Sequence, residues 1–127
     1  MTAPAVAQDY AWPVLDVVDG DTLRVRLPGL PDELQPLSVR VRGVDAPEAG
    51  SHARCALERD WAARATAGLD ALVLRSGAVT FRDPRWDKYG GRVDATVLLN
   101  GQDIGPLMIE AGWARAYSGG ARKPWCR

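Results

Sequence analysis

Alternating apolar and polar side chains predict two short strands near the start of the chain. Residues 14–18 form the first, and residues 23–27 alternate leucine or valine with arginine, as is typical of a half-buried strand. Asp19-Gly20 between them is a hairpin signal, because both residue types tolerate positive φ. Asp21 would then begin the returning strand with the parity of its apolar row. We expect its carboxylate at the inner rim of the sheet, where a buried charge needs a cationic partner.

A third strand is predicted after a loop. Residues 28–36 contain three prolines and a glycine, and residues 37–44 then read as a strand. Asp45 shares the parity of the apolar row of this strand, so a second carboxylate is expected at the end of an inward row. The same alternation places Arg40 on the opposite face. Arg40 would therefore reach the two carboxylates only through a bulge, strong strand curvature or its long side chain.

The apolar pattern changes from a period of two to a helical period after residue 53. Residues 53–75 place apolar side chains three and four apart, which predicts an amphipathic helix that ends at Gly77. Two more strands are predicted at residues 79–81 and 93–99, and a short second helix from Pro106 to its cap at Gly112. Five strands with a helix after the third favour a mainly β fold, a five-stranded oligonucleotide/oligosaccharide-binding (OB-fold-like) barrel packed by one long and one short helix.

Length and composition fit one compact domain. The 127 residues leave no room for a second core, so we expect residues 1–13 to be an N-terminal extension and residues 14–127 a single domain with a short tail. No apolar run approaches the roughly 18 residues that a membrane span requires. We expect a monomer with no membrane association.

Charge argues against nucleic-acid binding by bulk attraction. Sixteen Lys and Arg residues balance sixteen Asp and Glu residues, so any phosphate binding must be local. The acids lie mainly in residues 1–74 and the bases mainly in residues 75–127. An acidic half could hold a cation while a basic half meets a polyanion, although ordinary surface variation explains the same asymmetry.

The two cysteines leave their chemistry open. Cys55 and Cys126 are too far apart for a compact zinc motif, and His52 is the only histidine. They could form a disulfide or remain free thiols, depending on the compartment. Ala5-Val6-Ala7 is similar to the small-residue end of a secretory cleavage site. These features favour a secreted or periplasmic protein over a cytoplasmic one.

Three motifs in register resemble the staphylococcal nuclease (thermonuclease) family. The order and spacing of the long helix also agree, so the resemblance spans residues 14–117 and includes the segment Glu110-Ala111-Gly112-Trp113-Ala114. The motifs are Val18-Asp19-Gly20-Asp21-Thr22, then Val39-Arg40-Val41-Arg42-Gly43-Val44-Asp45-Ala46-Pro47-Glu48, and Asp87-Lys88-Tyr89-Gly90-Gly91-Arg92.

The resemblance implies a calcium site. Asp21 and Asp45 would be its carboxylate ligands, together with the backbone carbonyl of Ala46 and water, and Asp19 would be a supporting carboxylate outside the ligand set. Ca²⁺ prefers such oxygen ligands. An isolated Asp-Gly pair would more often be a turn that caps its own backbone.

The resemblance also implies three catalytic residues. Glu48 matches the family's proposed general base, and Arg40 and Arg92 match the two arginines that grip phosphate oxygens. Arg42, on the same strand as Arg40, is a competing candidate. A glutamate after a proline is otherwise commonly a solvated loop residue. Gly91 adds one residue before Arg92, which could change the angle at which this arginine approaches.

Further residues match the family's substrate contacts. Lys88 and Tyr89 correspond to a pair that contacts a second phosphate, and Tyr117 lies near the expected base-stacking tyrosine. A core or rim role for Tyr117 fits equally well, and Trp61 and Trp113 are best read as core residues. A bond between Cys55 and Cys126 would tie the tail to the start of the long helix.

The resemblance therefore implies a calcium-dependent nuclease. It would hydrolyse phosphodiester bonds of DNA and RNA without sequence preference, with single strands favoured, by in-line attack of water that leaves 3′-phosphate ends. The alternative is a non-catalytic nucleic-acid-binding or interaction module on the same barrel, because a fold does not dictate a function.

Overall fold

A computed structural model describes residues 8–126, so the predicted cleavage-site remnant Ala5-Val6-Ala7 lies outside the described residues. Two helices are present, α1 (Ala56–Arg75) and α2 (Ile104–Glu110), with short 3₁₀ turns at Asp32–Leu34 and Gly50–His52. No helix in the described part of the chain is long and apolar enough to cross a membrane. The strands of residues 8–126 are β1 (Asp9–Tyr10), β2 (Val14–Asp19), β3 (Thr22–Val25), β4 (Leu37–Val41), β5 (Val44–Asp45), β6 (Val79–Trp86), β7 (Arg92–Leu99), β8 (Gln102–Asp103) and β9 (Arg115–Ala116).

The main sheet has the strand order β1-β6-β7-β4-β3-β2, with β8 paired to β7. β4 and β7 run parallel, and every other pairing is antiparallel. β5 and β9 form a separate two-stranded sheet. The predicted fold class is confirmed: the protein is mainly β with one long and one short helix, in an OB-fold-like arrangement. β1 and β2 lie at the two edges of this sheet.

The first hairpin differs from the prediction by one residue. Asp19 pairs with Thr22, so the turn consists of Gly20 and Asp21 rather than Asp19-Gly20. Neither turn residue has a positive φ. Glycine is needed at position 20 for space, because a Cβ there would lie 2.7 Å from the Cβ of Ala65 in α1. A hairpin is present as predicted, with its turn one residue later, and its glycine allows close packing against the helix rather than a positive φ.

Several strand boundaries also differ from the prediction. The third strand is interrupted at Gly43, whose φ of 89° turns the chain between β4 and β5. β6 continues to Trp86, five residues beyond the predicted end at residue 81. The region expected to be an extension contributes β1, which pairs with β6. Trp12 from the same region stacks on the buried ring of Phe81, with 5.1 Å between ring centroids.

Helix α1 covers the β2–β3 hairpin and defines one side of the core. It begins after Cys55, whose Sγ accepts a hydrogen bond from the backbone N–H of Glu58 at 3.4 Å. Its buried face carries Ala62, Ala65 and Leu69. The largest fully buried side chains of the core are Phe81, Leu23, Leu69, Ile104, Met108, Val25, Val39, Val41, Val44 and Val97.

The tail is anchored by a buried tryptophan. Trp125 is 6% exposed and meets the ring of Trp61 from α1 edge-on, with centroids 4.6 Å apart. The guanidinium of Arg115 lies 3.7 Å from the centroid of the Trp125 ring and donates a hydrogen bond to the carbonyl of Pro124. Trp61 is thus half-buried against the tail and not in the main core, where it was expected. Trp113 does pack against that core, as predicted.

A disulfide joins Cys55 to Cys126, with 6.1 Å between their Cα atoms. It connects the residue that caps α1 to the last described residue of the chain. The tail is therefore held at the start of α1 by a covalent bond as well as by Trp125.

Candidate active site

Two buried carboxylates on separate elements of the fold lie near each other. Asp21 is in the β2–β3 turn and 8% exposed, and Asp45 ends β5 and is 3% exposed. The backbone N–H of Ala46 donates to Asp21 Oδ2 at 3.0 Å, and the hydroxyl of Thr22 donates to Asp21 Oδ1 at 3.0 Å. The Asp21 carboxylate is thus hydrogen-bonded to the backbone of Ala46, the residue that follows Asp45.

Arg40 lies between these two carboxylates. Its Nη2 is 3.9 Å from Asp21 Oδ2 and 3.7 Å from Asp45 Oδ1. β4 alternates as predicted, with Arg40 on the face opposite the buried Val39 and Val41. The simple parity argument nevertheless failed to place Arg40 in the site, because Asp21 belongs to a turn and is not bound by the alternation of a strand.

Arg42, the competing candidate, is oriented elsewhere. Its Nη2 donates to the backbone carbonyls of Asp83 and Asp94, at 2.6 and 2.9 Å. The two arginines of this segment therefore contact different parts of the protein. Arg40 faces the carboxylates, whereas Arg42 braces the turn after β4 against β6 and β7.

Arg122 from the tail makes the closest contacts with the acidic cluster. Its Nη2 is 2.6 Å from Asp45 Oδ1, and its Nη1 is 2.6 Å from Glu48 Oε1. Nη2 also donates to the backbone carbonyl of Ala46 at 3.4 Å. Sequence reasoning missed this residue. It lies 74 positions from Glu48, in a tail whose composition carries no periodic signal.

The loop that carries Glu48 is held by a second, buried glutamate. Glu58 in the first turn of α1 is 4% exposed. Its Oε2 accepts the backbone N–H of Glu48 at 3.1 Å, and its Oε1 accepts the backbone N–H of Arg54 at 2.9 Å. The Glu48 side chain itself is 36% exposed, so solvent can reach its carboxylate.

Clustering and burial shift the titration of two aspartates. Burial, reinforced by the charges of Asp21 and Glu48, raises the pKa of Asp19 to about 6. Burial also raises the pKa of Asp21, against the opposing effects of the Ala46 N–H and of Arg40. The ionised forms of both side chains are therefore disfavoured, chiefly by burial and, for Asp19, also by the neighbouring carboxylates.

The β6–β7 turn forms the opposite wall. Arg92 begins β7, and its Nη2 lies 3.1 Å from Oδ2 of the buried Asp87. Gly90 and Gly91 both have positive φ, 74° and 68°, so the additional glycine is accommodated within a tight turn. Arg92 remains on the cavity wall, but its contact is with Asp87 rather than with Asp21 or Asp45.

The acidic cluster and the β6–β7 turn line opposite sides of an open cavity of about 790 Å³. Lys88, Tyr89 and Tyr117 all line it, as do Asp19, Asp21, Arg40, Glu48, Arg92 and Arg122. Tyr89 is 80% exposed, and the Lys88 ammonium lies 5.1 Å from the centroid of its ring. Tyr117 instead lies 5.4 Å from the Arg40 guanidinium and donates its hydroxyl to the carbonyl of Gly120.

Trp86 is a further cavity residue that the sequence did not indicate. Its side chain is 66% exposed and lines the cavity together with Arg85. The predicted strand ends at residue 81, whereas β6 continues to Trp86. An exposed tryptophan beside basic residues could have been noticed as a candidate for nucleic-acid contact.

The donor set fits a hard divalent cation. Asp19 Oδ1 and Asp45 Oδ1 are buried and accept no well-directed hydrogen bond from the described residues, although Arg122 is close to the second. Asp21 and Asp45, the two ligands that the resemblance implies, offer with the backbone carbonyl of Ala46 and water the oxygen ligands that Ca²⁺ prefers. Among residues 8–126, no three His, Cys, Asp or Glu side chains are grouped as a metal site. A cation here would therefore depend on backbone and water ligands.

These features define a small mainly β domain with an acidic cluster, arginines and exposed aromatic residues around one cavity. Residues 38–124 match the family model described as staphylococcal nuclease homologue. The chain belongs to this family. The match includes Arg40, Asp45, Glu48 and Arg92, whereas Asp21 lies before its first residue. No curated protein matches the chain.

Proposed function

We propose that the protein is a calcium-dependent nuclease that hydrolyses phosphodiester bonds of DNA and RNA without sequence preference. The observation that carries this proposal is the pair of buried carboxylates, Asp21 and Asp45, with Arg40 between them. Two neighbouring buried anions are costly in a site that only binds a polyanion. They are useful in a site that holds a cation and a phosphate together.

Each residue then has a chemical task. Asp21, Asp45 and the carbonyl of Ala46 would hold Ca²⁺, which supplies positive charge at the scissile phosphate. Arg40 binds a phosphate oxygen, since its contacts of 3.7 and 3.9 Å are long enough to leave N–H donors available. Arg92 does the same from the opposite wall after loosening its contact with Asp87.

Glu48 serves the attacking water. Its exposed carboxylate orients a water molecule and accepts its proton while the water oxygen bonds to phosphorus. The bond from phosphorus to the 5′ oxygen breaks in line with this attack, and the leaving oxygen takes up a proton from solvent. The products are a 3′-phosphate end and a 5′-hydroxyl end.

The exposed residues at the cavity rim suit a single-stranded substrate of any sequence. Trp86 and Tyr89 are exposed aromatic residues on which any base can stack, and Lys88 adds a positive charge beside Tyr89. Phosphate contacts carry no sequence information. The faces of bases in a duplex are already stacked on neighbouring base pairs, so we expect single strands to be favoured.

One observation favours the alternative, a non-catalytic binding module. Arg122 pairs with both Asp45 and Glu48, which engages the proposed metal ligand and the proposed base in ion pairs. If these pairs are permanent, the cavity would bind a nucleic acid or another partner through its rim without cleaving it.

The decisive experiment measures cleavage of labelled single-stranded DNA and RNA in Ca²⁺, in Mg²⁺ and in chelator. We expect degradation in Ca²⁺ that falls at least about 100-fold in Glu48→Gln and in Arg40→Ala. Glu33→Gln and Arg75→Ala remove exposed charges away from the cavity and are the matched controls. Binding to the oligonucleotide without any cleavage would support the module instead, and end-group analysis tests for the 3′-phosphate.

A further inference from the structure

We propose that Arg122 is a built-in competitor for the cation of this site. This inference rests on the proposed function only for the identity of the cation-binding residues. The guanidinium of Arg122 must leave Asp45 before a divalent cation can bind. Arg122 therefore raises the cation concentration at which the site is filled.

Arg122 contacts the very atoms to which the cation is assigned. Its Nη2 lies 2.6 Å from Asp45 Oδ1 and 3.4 Å from the carbonyl oxygen of Ala46. Its Nη1 lies 2.6 Å from Glu48 Oε1. Arg40 is much looser, with its nearest carboxylate oxygen at 3.7 Å. Of the two arginines beside Asp45, Arg122 is therefore the one that neutralises its charge.

The guanidinium of Arg122 and a calcium ion would repel each other if both contacted these oxygen atoms. A calcium ion binds a carboxylate oxygen at about 2.3–2.6 Å, so an ion on Asp45 Oδ1 would lie at most about 5 Å from the nitrogen of Arg122. Like charges at this separation repel strongly in a partly buried site. Binding of the ion therefore favours a guanidinium that has moved away from Asp45.

The tail keeps Arg122 near the cluster but leaves its side chain free to move. Trp125 is buried, and Cys126 is bonded to Cys55, so the chain after Arg122 is fixed. Tyr117 fixes the chain before it by donating to the carbonyl of Gly120 at 2.6 Å. The side chain of Arg122 is nevertheless 42% exposed. It can swing into solvent without any change in the path of the backbone.

Calorimetric titration of Ca²⁺ into the oxidised protein, without nucleic acid, tests the inference. We expect Arg122→Gln to bind Ca²⁺ about tenfold more tightly than the wild type, because a competing positive charge has been removed. Lys123→Gln is the matched control. It removes one positive charge from the neighbouring exposed residue of the same tail, and its affinity should stay within about twofold of the wild type.

A second readout tests the same competition without measuring affinity. In chelator, Arg122→Gln should unfold at a lower temperature than the wild type, because Asp45 and Glu48 lose their partner. Saturating Ca²⁺ should then raise its melting temperature by more than it raises that of the wild type. Arg122→Lys, which keeps the charge but not the forked donors, should fall between the two proteins in both measurements.

Equal or weaker Ca²⁺ binding by Arg122→Gln would overturn the inference. Cleavage by the wild type would then still support the nuclease proposal. Tighter binding by Arg122→Gln without cleavage by either protein would support the competition and refute the nuclease proposal. Absence of Ca²⁺ binding in both proteins would overturn the inference, and oligonucleotide cleavage in chelator would show separately whether hydrolysis occurs.

Discussion

Gly20 packs directly against Ala65, so that a Cβ on Gly20 would lie only 2.7 Å from the Cβ of Ala65 and 3.0 Å from that of Ala46. The turn that carries Asp21 is therefore wedged between helix α1 and the segment that follows Asp45. The separation of the two carboxylates depends on how closely the helix lets this turn approach.

Substitution of Gly20 by Ala should destabilise the protein by about 1–3 kcal/mol, because the added methyl group overlaps with Ala65. Urea unfolding in chelator measures this change. The control is Ala65→Gly, alone and combined with Gly20→Ala, since it removes the opposing methyl group at a helix-propensity cost of about 1 kcal/mol. The double variant should be more stable than the sum of the single effects predicts. Simple additivity would show that the contact is not the cause.

Asp19→Asn should stabilise the protein in chelator at pH 7 but not at pH 4. The pKa of Asp19 is raised to about 6 by burial and by the neighbouring carboxylates, from an ordinary value of 3.8. The folded state therefore holds this proton more tightly than the unfolded state does. The stabilising contribution of the proton is complete below about pH 4 and disappears as pH rises through 6.

Denaturant unfolding between pH 4 and pH 8 tests this linkage. The difference in unfolding free energy between Asp19→Asn and the wild type should grow over that interval and then become constant. Asp70→Asn, at an exposed position of α1, is the control. A constant difference at every pH would contradict the assigned shift.

Asp21→Asn should weaken Ca²⁺ binding at least about tenfold and leave the protein at least as stable in chelator. The amide retains an oxygen that can accept the Ala46 N–H, while a charge is removed from a site where burial raises the pKa of Asp21. Calorimetry and thermal unfolding provide the two measurements, with the exposed Asp70→Asn as control. Unchanged Ca²⁺ affinity would remove Asp21 from the ligand set.

Trp86→Ala should weaken binding of single-stranded DNA by about 1–3 kcal/mol, the typical value of one stacked base. Trp86 is 66% exposed at the cavity rim. Fluorescence anisotropy in chelator separates binding from cleavage. Leu74→Ala removes an even more exposed apolar side chain, at 78% exposure, from α1 and should leave the affinity unchanged. Equal losses in both variants would argue against a stacking site.

Reduction of the disulfide should lower the free energy of unfolding by about 4 kcal/mol in the chain-entropy model for a loop of this length. Cys55 and Cys126 are 71 residues apart, and their link limits the unfolded chain more than the folded one. Urea unfolding with and without a dithiol reductant measures the difference. A variant with serine at both positions should be insensitive to the reductant.

The sequence predicted the regular elements well and the placement of single side chains less well. The helical period over residues 53–75 and the alternation around Val39 and Val41 report burial directly, so α1 and β4 were recognised. Two-residue strands such as β1 and β9 are too short to show any alternation. They exist because a neighbouring strand offers hydrogen-bonding partners, and local sequence does not contain that information.

The site shows the same limit. Asp21 and Asp45 were expected at one site by their positions in the sequence, and Arg40 lies within 4 Å of a carboxylate oxygen of each. Arg122 could not be found by parity or by spacing, because its position depends on tertiary anchorage through Trp125 and Cys126. An arginine four residues before a tail cysteine becomes informative only when the partner of that cysteine is known.

The bond between Cys55 and Cys126 makes most of the chain a covalent ring. Both Arg92 and Arg122 belong to this ring, whereas Asp21, Arg40 and Glu48 lie on the arm that leaves it at Cys55. A single protease cut in the exposed turn after Lys88 would open the ring without dividing the molecule. Under non-reducing conditions, the nicked protein should therefore keep both walls of the cavity in one covalent species, and only a reductant would release two fragments.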